Sequence, residues 1–143
     1  MQYLAPLILF FLATFLHAFE LNLPFSSNKA EFLSVDQAFQ LSLSAPENQA
    51  ISAHWKIEEG YYLYQHQFTL TGPDADKLEF APLPAGLSKT DAYFGEVITY
   101  RDQLSLPVLY DKSIAPGTLI NAYIGYQGCA DKGLCYPPQK QPM

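Results

Sequence analysis

Gly125-Tyr126-Gln127-Gly128-Cys129-Ala130-Asp131-Lys132-Gly133-Leu134-Cys135-Tyr136-Pro137-Pro138 holds both cysteines of this 143-residue chain. Five residues separate the two sulfurs, among them the small or flexible Ala130 and Gly133 and the charged Asp131 and Lys132. A segment this rich in glycine and charge belongs at the surface, because a buried loop strands its backbone polar groups. The spacing therefore predicts two sulfurs that are close together and reachable. Two uses of such a pair stand at this point. In an exported chain the default for two cysteines is a structural disulfide. Closing so short a loop, however, removes only about 2.4 kcal/mol of unfolded-state entropy in the chain-entropy model. An exposed, short-range pair is also what thiol–disulfide exchange requires. An inter-sheet immunoglobulin disulfide joins strands far apart in sequence, which this spacing does not do. Zinc needs more ligands than two cysteines, and His17, His54 and His66 are distant in sequence. A thioredoxin-type motif has two residues between its cysteines, and this chain has five.

The segments leading to this motif read as strands. Phe39, Leu41 and Leu43 alternate with polar residues, as do Ile51, Ala53, Trp55 and Ile57. Tyr61 to Leu70 reads as one strand, aromatic at nearly every position of its first half, so both of its faces need cover. Leu78–Phe80 is a short strand inside a loop that spans 78–90. Val97–Tyr100, Leu104–Tyr110 and Leu119–Tyr126 complete the set, with Pro107 placing its strand at an edge or bulge. Ser34, with Gln37 three residues on, predicts one helical turn at Val35. Seven or eight short strands separated by turns predict an all-β antiparallel β-sandwich.

Composition narrows the function. Aromatics make up 15% of the chain, charged residues 15%, and the net charge is −6. The aromatic content predicts a packed core. The acidic balance argues against nucleic acid as a partner, since phosphate binding needs a basic face. Residues 1–18 form an apolar block ending in Leu16-His17-Ala18 and read as a signal peptide, with 19–143 as the mature domain. The alternative is an N-terminal membrane anchor. About 16 apolar residues are short for that, since spanning takes about 20. Either reading puts the domain outside the cytoplasm. All charged residues follow position 18, so the mature charge is also −6.

One other stretch stands out. Thr90-Asp91-Ala92-Tyr93-Phe94-Gly95-Glu96 sets two adjacent aromatics in a turn, where exposure is expected.

Together these stretches resemble the N-terminal periplasmic domain family of the DsbD thiol:disulfide interchange proteins. The resemblance rests on Tyr126-Gln127-Gly128-Cys129-Ala130-Asp131, Gly133 and Cys135-Tyr136-Pro137-Pro138. It extends to Val35-Asp36-Gln37-Ala38-Phe39, Trp55-Lys56-Ile57, Gly60-Tyr61-Tyr62-Leu63-Tyr64, Tyr100-Arg101-Asp102 and Leu104-Ser105-Leu106-Pro107. It covers about residues 31–140. The resemblance implies an immunoglobulin-like sandwich whose Cys129–Cys135 pair cycles between disulfide and dithiol. By position, Cys135 forms the mixed disulfide with partners and Cys129 resolves it. A cap loop, here Asp91, Ala92, Tyr93, Phe94 and Gly95, shields the pair until a partner displaces it. The family has Phe at the position of Tyr93 and Tyr at that of Phe94. Tyr62 and Tyr64 are candidates to line the same site.

The implied partners are thioredoxin-like: an electron-donor domain, a disulfide isomerase and a cytochrome c maturation thioredoxin, all in the periplasm. No cofactor or metal is implied. The family's membrane-embedded and C-terminal domains are absent from this chain. It also ends before the strand expected after the cysteines, and so reads as truncated there. Lys132 is the one cation near Cys135 in sequence, which leaves the thiols sluggish until a partner supplies the environment. The competing function is a non-catalytic immunoglobulin-like binding module with a structural disulfide.

Overall fold

The structure, a computed structural model, describes residues 32–143. The predicted signal segment 1–18 lies outside the described residues. The first described element is the expected helical turn, α1 (Val35–Ala38), whose opening is closed by the Gln37 side chain accepting the Ser34 N–H at 3.2 Å. Strands follow: β1 (Phe39–Leu43), β2 (Ala50–Ile57), β3 (Tyr61–Tyr64), β4 (Thr69–Thr71), β5 (Leu78–Phe80) and β6 (Leu87–Asp91). Then come β7 (Gly95–Tyr100), β8 (Gln103–Tyr110), β9 (Tyr123–Tyr126), β10 (Gly128–Ala130) and β11 (Gln139–Pro142).

All pairings between these strands are antiparallel. One sheet has the order β1-β2-β8-β5; the others are β10-β3-β7-β6 and β11-β9-β4. The chain passes directly between the latter two sheets three times: from β3 to β4 over a 3-10 turn at Gln65–Gln67, from β9 to β10 over Gln127, and from β10 to β11 through the cysteine turn. They act as two halves of one bent layer facing the first sheet.

The sandwich core follows from the alternation. Ile51, Ala53, Trp55 and Ile57 of β2 and Leu104, Leu106 and Val108 of β8 are buried. Across the layers Trp55 meets Tyr126 edge-on at 5.6 Å and Phe68 at a tilt at 5.2 Å between ring centroids. Phe39 meets Tyr61, Tyr126 and Tyr136 edge-on. Each large side chain fully buried here contributes roughly 1.5–3 kcal/mol.

Several boundaries differ from the sequence expectation. The run from Tyr61 to Leu70 is two strands in two sheets, because the chain bends at Gln65–Gln67. Residues 87–91, expected as loop, form an edge strand whose order comes from pairing with β7 and not from its own polar sequence. The last long strand begins at Tyr123, and Leu119 is almost fully exposed. Pro107 sits inside a sheet, since β8 is flanked by β2 and β5. Its carbonyl faces the β5 side, where it accepts from Ala81 N–H at 2.9 Å, just past the end of β5. The N–H that proline lacks points to the same side and so costs no bond of the β2–β8 ladder. Finally, a strand does follow the cysteines: β11 pairs with β9, Gln139 opposite Tyr126.

Candidate redox site

The site is built where β10 meets β3. Gly128, Cys129 and Ala130 pair with Leu63, Tyr62 and Tyr61. Position 128 must be glycine for this approach, because a Cβ there would lie 2.4 Å from the Tyr62 carbonyl oxygen and 2.5 Å from the Phe39 ring. The chain then reverses. Gly133 N–H donates to Ala130 O at 2.9 Å and Ala130 N–H to Leu134 O at 2.7 Å, and Tyr136 N–H returns to Gly128 O at 3.0 Å. That hairpin sets Cys135 directly opposite Cys129, with Cα atoms 4.0 Å apart and the sulfurs bonded.

The two sulfurs are not equally reachable, which corrects the sequence expectation. Cys129 is 0% exposed and belongs to a buried cluster with Tyr62, Tyr64 and Val97, whereas Cys135 is half-buried and packs against that cluster. Strand pairing makes the difference: Cys129 lies within β10, and Cys135 lies on the returning arm.

All four residues of β3 are buried. Tyr62 and Tyr64 point to the cysteine side and meet edge-on, with centroids 5.3 Å apart. The Tyr64 hydroxyl oxygen is 3.1 Å from Cys129 Sγ and 3.8 Å from Cys135 Sγ. It donates its proton to Asp91 Oδ2, which also accepts from the Tyr62 hydroxyl at 3.0 Å.

Asp91 ends β6 and is 8% exposed. Its other oxygen accepts the backbone N–H groups of Tyr93 at 2.7 Å and Phe94 at 3.0 Å. One carboxylate thus ties the cap turn to the tyrosines beneath it. Burial works against ionisation of Asp91. The hydrogen bonds from Tyr64, the two backbone amides and Tyr62 outweigh it and hold the carboxyl below its usual range. Burial, with the Asp91 bond, pushes the Tyr64 phenol up.

The cap residues Ala92, Tyr93 and Phe94 are exposed, and Gly95 closes the turn at φ 75°, in the left-handed region that favours glycine. The two aromatics divide the cover. Phe94 packs edge-on against Tyr64 at 5.1 Å and His66 at 4.9 Å. Tyr93 reaches over the cysteine turn, its hydroxyl 3.5 Å from Gly133 O. Between cap and turn lies a small cavity of about 190 Å³ lined by Cys135, Tyr62, Tyr93, Lys89 and Asp131.

Reading along the sequence missed the cations. Lys132 is exposed on the turn, whereas Lys89 of β6 shares the cavity with Cys135. Lys89 and Arg101 both lie against the Tyr62 ring, at 4.9 and 5.1 Å from its centroid. Arg101 also grips Asp131 through both guanidinium branches, at 2.8 and 2.7 Å. This pairing holds the Asp131 carboxyl below its usual range. The Tyr-Arg-Asp motif was visible in the sequence, but nothing there connects Arg101 with a residue 30 positions later. His66 under Phe94 was likewise unmarked. Among the described residues no group of three His, Cys, Asp or Glu side chains is placed to hold a metal. Among them, too, no helix is long and apolar enough to cross a membrane.

The family model described as thiol:disulfide interchange protein DsbD, N-terminal, matches residues 29–142. DsbD of Escherichia coli O157:H7 is 39% identical over 111 residues, and that of Escherichia coli K12 is 38% identical. Each match covers 78% of this chain and 19% of the relative, so the chain spans about a fifth of those proteins. The crystal structure of the reduced Neisseria meningitidis DsbD N-terminal domain is similar, with TM-score 0.69 and 29% identity over 78% of this chain and 87% of that one. A second similar structure is the complex between the DsbD and PilB N-terminal domains of Neisseria meningitidis, with TM-score 0.61 and 29% identity, covering 78% of this chain and 85% of its match. The sandwich is accordingly the immunoglobulin-like fold of those domains.

Proposed function

This chain belongs to the family of DsbD N-terminal domains, whose chemistry is thiol:disulfide interchange, and from that premise we propose that its Cys129–Cys135 pair relays reducing equivalents in the periplasm. The donor is a thioredoxin-like domain, and the acceptors are disulfide-bonded periplasmic proteins, among them a disulfide isomerase and a cytochrome c maturation thioredoxin. The observation that carries the reading is the asymmetry of the pair: Cys129 is wholly buried, and Cys135 is half-buried beneath a small exposed turn.

A donor thiolate attacks Cys135 Sγ, and the S–S electron pair leaves with Cys129 as a thiolate that takes up a proton. The donor's second thiolate then releases Cys135, so the domain becomes a dithiol and the donor a disulfide. In the second half, Cys135 thiolate attacks the acceptor's disulfide. Cys129 resolves that mixed disulfide, which returns the acceptor as a dithiol. Burial supports these roles, because an outside sulfur meets Cys135 before Cys129. Asp91, Ala92, Tyr93, Phe94 and Gly95 act as the cap that excludes small thiols. The exposed Tyr93, Phe94 and Leu134 supply apolar surface for a docking partner. The pairing of a related domain with the PilB N-terminal domain supports a protein partner for this one.

The test is reversible reduction without unfolding. Mild thiol reductant should open the pair while the near-ultraviolet circular dichroism of buried Trp55 persists. The reduction potential should lie above roughly −300 mV, the region below which structural disulfides fall. Loss of the Trp55 signal on reduction would favour a binding module with a structural disulfide.

A further inference from the structure

We infer that Arg101 is a positioning residue for the exchange: by gripping Asp131 it keeps the Cys129–Cys135 turn in bonding geometry while the disulfide is open. This deepens the proposed relay and rests on it.

Asp131 starts the turn, two residues after Cys129. Its N–H donates to Gly60 O at 2.8 Å, and its two carboxylate oxygens accept the two branches of Arg101. Lys89 Nζ stands 3.7 Å from the same carboxylate. Arg101 itself follows β7 and donates also to Tyr61 O at 3.4 Å. The turn is therefore tied to the start of β3 and the end of β7. The cap loop reaches the turn through Tyr93 and Gly133, which lie at a different point of it. Opening the cap leaves the Arg101–Asp131 contact in place.

The consequence appears only when the S–S bond is broken. In the disulfide form the covalent link holds the two arms together. In the dithiol form the arms are held by the turn's backbone bonds and by the clamp. An unclamped dithiol samples more conformations and must give them up again when the disulfide closes. That lowers the effective concentration of one sulfur at the other. A two-branched guanidinium–carboxylate pair fixes orientation as well as distance, which a point charge does not. A residue that merely stabilised the fold would favour dithiol and disulfide forms equally and leave the equilibrium between them unchanged.

The experiment equilibrates the protein with reduced and oxidised glutathione and measures the dithiol fraction by alkylation. Two glutathione thiols and the domain disulfide balance against the domain dithiol and glutathione disulfide. In Arg101→Gln the constant for closing the domain disulfide should fall about three- to tenfold, a tenfold fall being ~30 mV toward a less negative potential. Asp131→Asn should show a similar fall, and the double variant no further fall, because one contact is lost in all three. Arg101→Lys should recover part of it. An unchanged equilibrium in variants that keep the Trp55 signal would overturn the inference, as would additive falls in the double variant. Should Arg101→Gln fail to fold, Asp131→Asn and Arg101→Lys carry the same comparison. If the wild-type pair cannot be reduced without unfolding, the relay itself fails, and that outcome is visible before any variant is made.

Discussion

The hydroxyl oxygen of Tyr64 lies 3.1 Å from the sulfur of Cys129, although the two residues are 65 positions apart. The Tyr64 proton is committed to Asp91, so the oxygen presents a lone pair to the sulfur. A disulfide sulfur has no hydrogen to offer it, whereas the Cys129 thiol of the reduced form does. The same short chain of atoms runs on from Asp91 to the backbone of the cap, so the sulfurs, the tyrosines and the cap share one network.

Tyr64→Phe tests that network. It removes a buried donor from a charged acceptor, a loss of about 1.5–3 kcal/mol. Urea unfolding at pH 7 should show a destabilisation of that size. The deficit should shrink as pH falls below the ordinary carboxylate range and the Asp91 carboxylate takes up a proton.

Asp91 also predicts an acid limb. Its folded pKa lies below the unfolded value of about 3.9. Its contribution is therefore fully present above the ordinary carboxylate range and is lost as pH falls through the lower folded value. Asp91→Asn should remove this component. Reduction by a phosphine, which needs no thiolate, should be faster in the variant than in wild type at pH 6. The two rates should converge on acidification, and a constant ratio down to pH 2 would count against Asp91 as the tie of the cap.

The cap aromatics make a kinetic prediction. Phe94 forms edge-to-face contacts with Tyr64 and His66, worth roughly 0.5–1.5 kcal/mol each. Losing both favours the open cap by about 1–3 kcal/mol, or about 5- to 150-fold. Tyr93→Ala with Phe94→Ala should raise the rate of glutathione attack on the pair by that order. Global stability should fall by no more than these contacts supply, since Tyr93 and Phe94 are exposed and neither belongs to the buried core. An unchanged rate would leave the aromatics as partner surface only.

The roles of the cysteines can be separated by trapping. Cys129→Ser should accumulate a mixed disulfide through Cys135 with a thioredoxin-like protein, because the resolving thiol is gone. Accumulation only in Cys135→Ser, through Cys129, would reverse the assignment despite the burial of Cys129.

Gly128→Ala should destabilise the domain by about 1–3 kcal/mol, the usual cost of overpacking. The added methyl meets the Tyr62 carbonyl and the Phe39 ring, both held in the core. A melting temperature equal to wild type would show that β10 can shift from β3 without cost.

Much was legible in the chain itself. Alternation in β1 and β2 marked half-buried strands, because each must bury one face, and the number of short strands marked the sandwich. The short cysteine spacing marked two neighbouring sulfurs, and Asp91 to Gly95 marked a turn with exposed aromatics. These are local signals, readable within a few residues. The breaks at Gln65–Gln67 and Gln127 were not legible, because they arise where strands leave one sheet for another. Nor was the order in β6, whose polar residues form a strand only through pairing with β7. The inequality of the two sulfurs required β3 and β7 to close around Cys129. Lys89, Arg101 and Asp131 meet around Tyr62 only because β6, β7 and the cysteine turn converge there. Residue type and spacing determine which groups the chain can offer for exchange. Which sulfur is shielded, and which charges stand beside it, depends on contacts between residues distant in sequence, and those exist only once the sheets have packed.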